Sequence, residues 1–269
     1  MDGAGTIGFL GYGNMGAAIL EGLIEAGRHT GKHTVVYDPS PARRAAAEAV
    51  GAELAETPAE LAADCDTLVL AVKPQVMDEA LQTFEGQPRM PRRAISIAAG
   101  ISIRTIQARL GDAVHVIRVM PNTPALVSAG AAGIALGPGC DGTDAEVARA
   151  MFESIGIAVM VEERDMDAVT ALSGSGPAYF FRLVECLVKA AVAEGLDAAT
   201  ASRLAGQTLL GAGKLLKASG ETPEVLRQRV TSKGGTTEAA LRSFEQDGLE
   251  AMVRAAVSAA AARSRELGA

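Results

Sequence analysis

The sequence has 269 residues, of which 48% are hydrophobic and 21% charged, and its 25 basic and 32 acidic residues give a net charge of −7. This length suffices for one or two domains with a sizeable core. The acidic balance excludes binding to nucleic acid or to an anionic membrane through a broad basic surface. Three widely spaced cysteines indicate no disulfide framework and favour a reducing compartment, the cytoplasm.

Small side chains dominate the composition. The chain has 52 alanines and 30 glycines, but only three Tyr, six Phe and no Trp. The core must therefore form by close approach of backbones over small side chains. Only three histidines occur, and this shortage argues against a histidine metal site and against a hydrolase triad. We predict no bound metal.

Up to about residue 162, short apolar runs alternate with helical stretches. Such runs, when rich in β-branched residues, are typical of a parallel sheet covered on both faces. Residues 1–162 are therefore predicted to form a doubly wound, mostly parallel α/β domain. The predicted strands are Thr6–Leu10, Thr34–Tyr37, Thr67–Ala71, Ala94–Ala98, Val114–Val119, Gly133–Leu136 and Ile157–Val161, and the predicted helices are Met15–Ala26, Pro41–Val50, Gln75–Phe84, Ile103–Leu110 and Asp144–Ser154.

From residue 163 to residue 269 the pattern is helical throughout, which predicts a second, all-helical domain. The most apolar stretch, from Pro177 to Gly195, is interrupted by Arg182, Glu185 and Lys189, so no membrane span is expected. The predicted helices are Asp165–Ser173, Pro177–Glu194, Ala198–Ala218, Pro223–Val230, Thr236–Gln246 and Gly248–Leu267.

The helical half is poor in large side chains. Small residues recur along Ala198–Ala218, and Gly248–Leu267 is mostly alanine. Such faces allow close helix packing but bury little apolar area per residue. We therefore expect this half to complete its core against a second copy, as a homodimer.

A glycine-rich turn follows the first predicted strand and opens the first helix. The segment Gly11-Tyr-Gly-Asn-Met-Gly16 has the G-x-G-x-x-G spacing of a dinucleotide-binding turn. Gly11 permits the tight turn, Gly13 lets a pyrophosphate approach the backbone, and Gly16 allows close packing of helix on strand. The helix N-terminus, at Asn14 and Met15, offers free N–H groups to phosphate.

The end of the second strand bears on the choice of cofactor. Asp38 lies 22 residues beyond Gly16, where an acidic residue binds the adenosine ribose of NAD. Ser40, Arg43 and Arg44 follow at once, and Ser40 together with one of the arginines is suited to hold the 2′-phosphate of NADP. Asp38 or Ser40 is equally suited to cap the helix that begins near Pro41. These residues do not decide whether the cofactor is NADH or NADPH.

Three further strand ends contain small residues or proline, as expected where a ligand lies in the crevice of such a sheet. They are Ala71–Pro74, Ala98–Gly100 and Met120–Pro124. Lys73 is a candidate base or phosphate ligand, or a solvated loop lysine. Asn122 lies between two prolines, where its amide is placed to face the nicotinamide or to stiffen a turn.

Two polar segments in the helical half lead into helices. They are Ser173-Gly-Ser-Gly-Pro177 and Thr231-Ser-Lys-Gly-Gly-Thr-Thr237, and both are predicted to be loops. Each presents N–H groups and hydroxyls at a positive helix end, as a small carboxylate requires; ordinary capping is the alternative. Neither contains His, Cys or Asp. Reduction of a C=N bond suits such a site, because a protonated imine is already electrophilic and needs mainly positioning.

At these residues the chain resembles the Δ1-pyrroline-5-carboxylate reductases, which complete proline synthesis. The resemblance spans nearly the whole chain. It is carried by the glycine-rich turn with its flanking Gly8-Phe-Leu, by Ala71-Val-Lys-Pro74, Ser96-Ile-Ala-Ala-Gly100, Arg118-Val-Met-Pro-Asn-Thr-Pro124, Ser173-Gly-Ser-Gly-Pro-Ala-Tyr179 and Thr231-Ser-Lys-Gly-Gly-Thr-Thr237.

The resemblance implies reduction of L-1-pyrroline-5-carboxylate to L-proline by NAD(P)H. It also implies an N-terminal Rossmann domain and a C-terminal helical dimerisation domain, in a family where some dimers assemble into decamers. The family more often uses NADPH, from which Asp38 departs. Carried over by motif, Thr237 is the catalytic hydroxyl, and the substrate contacts are Ser173, Ser175, Gly234, Gly235, Thr236 and Thr237. The implied cofactor contacts are Gly11, Gly13, Asn14, Met15, Gly16, Asp38, Ser40, Arg43, Ala71, Val72, Lys73, Pro74, Ala98, Ala99 and Asn122.

Two other functions fit a dinucleotide-binding domain joined to helices. A β-hydroxyacid dehydrogenase is one, but those enzymes resemble one another in a Lys and an Asn near the start of the helical domain. Here that half has no Asn, and its first Lys is Lys189. A dinucleotide-sensing protein without catalysis is the other, but a sensor has no use for the Ser- and Thr-rich segments.

Overall fold

The computed structural model describes residues 3–268, which form two compact units. The first unit comprises the chain up to Ser175 together with the segment from Ala260, and the second is Gly176–Ala259. The first unit contains the strands β1 Ile7–Leu10, β2 Thr34–Tyr37, β3 Glu53–Leu54, β4 Thr67–Leu70, β5 Arg93–Ser96, β6 His115–Met120, β7 Gly130–Leu136 and β8 Gly156–Met160. Its helices are α1 Asn14–Glu25, α2 Pro41–Ala49, α3 Pro58–Asp64, α4 Met77–Gln82, α5 Ile103–Leu110, α6 Gly142–Glu153 and α7 Met166–Val169.

All eight strands form one sheet in the order β3-β2-β1-β4-β5-β6-β7-β8. Every neighbouring pair is parallel except β6 and β7, which are antiparallel. The strand order reverses at β1, which lies between β2 and β4. Ligands of doubly wound sheets bind outside the carboxyl ends of the strands at such a reversal. The predicted fold class of this half is confirmed.

Two elements of the first unit were not predicted from the sequence. Strand β3 has only two residues and pairs with β2 at Val35–Glu53 and Val36–Leu54. Helix α3 begins after Thr57, whose hydroxyl accepts from the Glu60 N–H at 3.1 Å. Both are too short to show a periodic pattern.

The core follows from the apolar strands. All four residues of β1, of β4 and of β5 are buried, as expected for strands covered on both faces. Few large rings are needed: Phe9, Phe84 and Phe152 are among the fully buried side chains. Gly16 and Gly22 lie among the buried residues of α1, so this helix packs over small side chains, as the composition predicted.

A buried ionic cluster joins the amino ends of the strands. The Asp144 carboxylate accepts from Arg93 Nε at 2.8 Å and contacts His115 Nδ1 at 2.6 Å. Arg93 also donates to the Gly3 carbonyl at 2.7 Å and to the Thr67 hydroxyl at 3.0 Å. Arg93 and Asp144 are almost completely buried. These hydrogen bonds link β4, β5, β6 and α6, while Arg93 Nη2 is buried without a hydrogen-bond partner among the described residues.

The Asp144 carboxylate is kept ionised by its neighbours. Burial alone would raise its pKa, but hydrogen bonds from the Asp141 backbone, Arg93 and His115 lower the pKa below the ordinary Asp value. A lowered pKa in the folded state stabilises the fold above the pKa of the unfolded chain, about 3.9, and this stability is lost as the pH falls through the folded-state pKa.

We predict that Asp144→Asn lowers the free energy of unfolding at pH 7 by about 3 kcal/mol, because Arg93 is left buried without its counter-ion. The variant is also expected to lose less stability than the parent chain between about pH 4 and pH 2. Urea denaturation across this pH range measures both effects. Asp112→Asn, at an exposed position, is the control; a loss below about 1 kcal/mol in Asp144→Asn contradicts the account.

The second unit is helical and has little core of its own. It contains α8 Gly176–Ala193, α9 Ala198–Ser219, α10 Pro223–Arg229, α11 Thr236–Gln246 and most of α12 Leu249–Leu267. Within residues 176–259 only Gly176 and Ala201 are buried. Large apolar side chains are exposed instead, including Phe181 at 60%, Leu204 at 57% and Met252 at 63%. No helix within residues 3–268 is both long and apolar enough to cross a membrane.

Candidate active site

The turn between β1 and α1 requires glycine at two positions. Gly11 has φ +91°, and a Cβ there would lie 3.0 Å from the Ala71 carbonyl oxygen. A Cβ at Gly16 would lie 3.0 Å from the Gly11 carbonyl oxygen. The Gly11 N–H donates to the Tyr37 carbonyl at 2.8 Å. These contacts bring β1, β2 and the chain after β4 together at one point.

The N-terminus of α1 is open toward that point. Gly13 precedes the helix and has no side chain to cap it, and no acidic residue lies in the first turn. A Cβ added at Gly13 would meet no atom within 4 Å. An uncapped helix N-terminus with free space beside it fits the pyrophosphate of a dinucleotide. Asn14 and Met15 form its first turn, as predicted.

The Tyr12 side chain stabilises the turn between β1 and α1 by packing in the core. Its side chain is fully buried, and its ring stacks edge-to-face on Phe9 with the centroids 6.2 Å apart. Burial, and secondarily the charge of Glu21, raises the pKa of Tyr12 to about 12. Tyr12 therefore stays neutral at physiological pH and holds the turn in place.

Asp38 organises the ribose side of the crevice. Its carboxylate accepts from the Tyr12 N–H at 2.7 Å and from the Ser40 N–H at 2.9 Å, and its side chain is buried. The hydroxyl of Ser40 does not cap α2, although Ser40 precedes that helix. Arg43 Nη2 donates to Asn14 Oδ1 at 2.9 Å. Ser40 and Arg43 thus lie at the N-terminus of α2, beside the turn.

The ends of β4 and β5 complete the crevice. Ala71 follows β4 and its N–H donates to the Leu10 carbonyl at 2.9 Å, while Lys73 is exposed. Ala98 is buried after β5. The predicted cofactor residues after β1, β2, β4 and β5 therefore lie along one edge of the sheet, at its reversal point. They are Gly11, Gly13, Asn14, Met15, Gly16, Asp38, Ser40, Arg43, Ala71, Val72, Lys73, Pro74, Ala98 and Ala99.

Asn122 follows β6 and has partners within the protein for both ends of its amide. Its Nδ2 donates to the Ser173 carbonyl at 3.0 Å, and its Oδ1 accepts from the Ala131 N–H at 2.8 Å. Asn122 precedes the 3-10 turn Thr123–Val127 but does not cap it. The amide predicted to face the nicotinamide therefore connects segments of the chain.

The predicted loop around Ser173 is instead helical, so this prediction was wrong. Thr170–Gly174 forms one turn of π-helix, closed by the Ser175 N–H donating to the Thr170 carbonyl at 2.8 Å. The Ser173 hydroxyl donates to the Val169 carbonyl at 2.9 Å, which leaves its oxygen as an acceptor. Such π-turns are rare and are often found at functional sites.

The second predicted loop is non-helical over residues 231–235, and its last two residues, Thr236 and Thr237, begin α11. Gly234 has φ +73°, and its N–H donates to Glu238 Oε2 at 2.8 Å. Gly235 precedes α11 and offers no side-chain cap. The N–H groups of Thr236 and Thr237 therefore lie at an uncapped helix end, where backbone dipoles favour an anion. Within residues 3–268, no hydrogen bond is formed by the Thr237 hydroxyl.

The structure thus assembles the predicted residues in two groups. The cofactor residues and the Ser173–Ser175 turn lie in the first unit, and Gly234, Gly235, Thr236 and Thr237 lie in the second. Glu238, which orders the loop before α11, was not predicted; its position three residues after a helix-capping position was the available signal. Within residues 3–268, no group of three or more His, Cys, Asp or Glu side chains is placed to hold a metal ion.

Comparison with known proteins agrees with this geometry. Residues 163–267 match the family model for pyrroline-5-carboxylate reductase dimerisation, and residues 6–114 match the model described as NADP oxidoreductase, coenzyme F420-dependent. The chain is 42% identical to the pyrroline-5-carboxylate reductase of Pseudomonas aeruginosa, over 97% of this chain and 96% of that one.

Two solved structures of reductases are similar to this chain over almost its whole length. The pyrroline-5-carboxylate reductase of Coxiella burnetii is 33% identical, with a TM-score of 0.90 over 99% of both chains. The pyrroline carboxylate reductase of Plasmodium falciparum, whose structure has NADP bound, is 31% identical, with a TM-score of 0.84 over 100% of both chains.

The glycine turn at the reversal of a doubly wound sheet defines a Rossmann-type, dinucleotide-binding protein, and the matches place it among the NAD(P)-dependent oxidoreductases. Its sequence identity to relatives over almost the whole chain also shows the particular family. The chain belongs to the pyrroline-5-carboxylate reductase family. This confirms the resemblance seen in the sequence, and with it the fold class of both halves.

We predict that Gly13→Ala leaves folding unchanged and weakens the binding of NADPH by at least about tenfold, because the added methyl group occupies the space that a pyrophosphate needs. Gly13 has φ −72°, which alanine adopts without strain. Fluorescence titration gives the Kd, and thermal unfolding gives the stability.

Gly142→Ala is the matched control, because a Cβ at Gly142 also meets no atom within 4 Å and Gly142 is likewise at the start of a helix. Wild-type NADPH affinity in Gly13→Ala would show that the phosphates do not bind at this turn.

Proposed function

We propose that this protein reduces the C=N bond of L-1-pyrroline-5-carboxylate to give L-proline. The observation that carries the proposal is the N-terminus of α11. There Gly235 leaves the N–H groups of Thr236 and Thr237 uncapped, next to a Thr237 hydroxyl that is free of other hydrogen bonds within the described residues. A site of this kind suits a small molecule with a carboxylate and a neighbouring ring nitrogen.

The roles of the residues follow from their chemistry. When bound, the reduced nicotinamide supplies the hydride. The N–H groups of Thr236 and Thr237 hold the substrate carboxylate. The Gly235 N–H already donates to the Ser232 carbonyl at 3.0 Å, so Gly235 contributes a contact without a side chain, and Gly234 gives the loop its left-handed turn. The Thr237 hydroxyl donates a hydrogen bond to the ring nitrogen. Ser173 and Ser175 act as further substrate contacts, with the Ser173 oxygen serving as an acceptor.

This mechanism rests on positioning. The proposed substrate residues include no His, Cys, Asp or Glu, so none of these contacts is a general base of the usual kind. Reduction of the imine adds hydride to C5 and a proton to the ring nitrogen, which the Thr237 hydroxyl delivers while taking one from solvent. It removes no proton from carbon or oxygen of the substrate and requires mainly alignment of the reacting atoms. That requirement distinguishes the proposal from a β-hydroxyacid dehydrogenase, which must take a proton from an alcohol.

We predict that Thr237→Val, which keeps the shape but removes the hydroxyl, lowers kcat by about 100-fold, as loss of a proton-donating group does. NADPH affinity is expected to stay within about twofold, because the cofactor residues are elsewhere. Thr237→Ser, which keeps the hydroxyl, is the control. Equal turnover in the Val and Ser variants refutes the role of this hydroxyl.

The proposed activity itself is tested by measuring proline formation from the imine with each reduced cofactor. The same preparation is assayed for oxidation of β-hydroxy acids. Proline formation without hydroxy-acid oxidation supports the proposal. Oxidation of a hydroxy acid without imine reduction favours the dehydrogenase, and cofactor binding without either reaction favours a sensing protein.

For the cofactor, we propose that NADPH is accepted, with its 2′-phosphate near Ser40 and Arg43. Asp38 would oppose a phosphate, but two backbone N–H groups already bind its carboxylate. The N-terminus of α2 and the Arg43 guanidinium add positive charge on that side. Arg44 is committed elsewhere, since it contacts Glu56 at 2.6 Å.

We predict that Arg43→Ala raises the Kd of NADPH by at least about tenfold, the loss of one charge-assisted hydrogen bond, and that the Kd of NADH changes less than about twofold. Arg44→Ala serves as the matched control. Equal weakening of both cofactors in Arg43→Ala would place the 2′-phosphate elsewhere.

We further propose that residues 163–269 form the dimerisation and substrate-binding domain and that the protein is a cytoplasmic homodimer. The exposed apolar side chains of the second unit and its match to a dimerisation family support the homodimer. Three free cysteines suit a reducing compartment. Sedimentation analysis separates a dimer from the decamer that the family resemblance implies.

A further inference from the structure

Pro177 lies in the first turn of α8, directly after the π-turn at Thr170–Gly174, and cannot donate a backbone hydrogen bond to the chain before it. In an α-helix the carbonyl of residue 173 accepts from the N–H four residues on. That residue is Pro177, and proline has no N–H. In this structure the Nδ2 of Asn122 donates to the Ser173 carbonyl instead, at 3.0 Å. We propose that Asn122 is a positioning residue, whose amide replaces the N–H missing at Pro177 and so fixes the turn that carries Ser173 and Ser175.

The other end of the same amide fixes Asn122 itself. Its Oδ1 accepts from the Ala131 N–H at 2.8 Å, and Ala131 is in β7, which pairs with β6. Asn commonly caps a helix that it precedes, yet this side chain does not cap the turn that follows it. Its donor and its acceptor are therefore used between segments that are distant in sequence.

A packing contact supports the same arrangement. A Cβ added at Gly174 would lie 2.5 Å from Met120 Cε, so the π-turn lies close against the end of β6. The Ser173 hydroxyl donates to the Val169 carbonyl at 2.9 Å, which gives the side chain one orientation. Asn122 lies two residues after the end of β6 at Met120. It thus connects the sheet edge to the backbone of Ser173.

This inference rests on the proposed function in one respect: Ser173 and Ser175 are taken as substrate contacts. If they are, loss of the Asn122 donor moves these hydroxyls and weakens binding of the imine, while the glycine turn that holds the cofactor is untouched. Direct contact of Asn122 with the nicotinamide leads to the opposite result, in which the cofactor affinity falls first.

The test is a double-mutant cycle of Asn122→Asp with Pro177→Ala. Asn122→Asp keeps an acceptor for Ala131 but turns a carboxylate oxygen toward the Ser173 carbonyl. Pro177→Ala supplies an N–H four residues after Ser173, in the register of an α-helix. Pro223→Ala controls for removal of a proline from the first turn of a helix.

We expect Asn122→Asp to raise the KM for the imine by at least about tenfold, because a partly buried hydrogen bond is replaced by two facing oxygens. The Kd for NADPH is expected to change less than about twofold, and Pro177→Ala is expected to bring the imine KM of the double variant back to within about threefold of wild type. Pro223→Ala added to Asn122→Asp restores nothing.

Several results overturn the proposal. They are an unchanged KM in Asn122→Asp, a weaker Kd for NADPH without a change in KM, or no rescue by Pro177→Ala. If Asn122→Asp alone does not fold, the double variant must fold and bind the imine normally, and its failure to do so counts against the proposal.

A second readout is independent of the proposed activity. Amide hydrogen exchange of residues 166–180 should quicken by at least about tenfold in Asn122→Asp and slow again in the double variant, because the hydrogen bond holds the turn closed. If the wild-type chain does not reduce the imine, this exchange pattern still tests the role of Asn122 separately.

Discussion

The close approach of three strand ends at Gly11 is the constraint on which the rest of the molecule depends. Gly11 donates to the end of β2 and lies against the Ala71 carbonyl after β4. The Tyr12 N–H then binds the Asp38 carboxylate at 2.7 Å. Any side chain at Gly11 would separate β1 from the chain after β4, so the crevice for the dinucleotide exists because no Cβ intervenes.

Small residues serve two different purposes in the two halves. In the first unit, glycines let backbone approach backbone and leave open space at Gly13. In the second unit, alanine-rich helices bury only Gly176 and Ala201 among residues 176–259. That unit cannot gain enough apolar burial alone to offset the entropy of ordering its chain. The scarcity of aromatic residues thus accompanies both a cofactor crevice and a helical unit suited to association.

The sequence was sufficient to predict the strands and helices that are long and periodic. The glycine turn was also predictable, because its geometry is set by local backbone sterics. The π-turn at Thr170–Gly174 was not, because Ser and Gly before a proline are equally typical of a loop. What holds this turn is the Asn122 amide, 51 residues away in sequence, and a contact of that kind leaves no local signal.

Asp38 shows a second limit of prediction from the sequence. Its spacing from Gly16 correctly predicted a place at the end of β2, where it suits the ribose of a dinucleotide. The spacing did not show that its carboxylate is already hydrogen bonded to the Tyr12 and Ser40 backbones. A motif gives the position of a charge, but the effect of that charge on a ligand depends on partners that only the fold brings close.

The most direct test of the account follows the hydride itself. A single turnover is run with NADPH deuterated at the transferred position of C4 and excess enzyme, and the proline formed is analysed by mass spectrometry and NMR. We expect one deuterium per proline, located at C5. Proline without the label, or no proline at all with the cofactor bound, would contradict it.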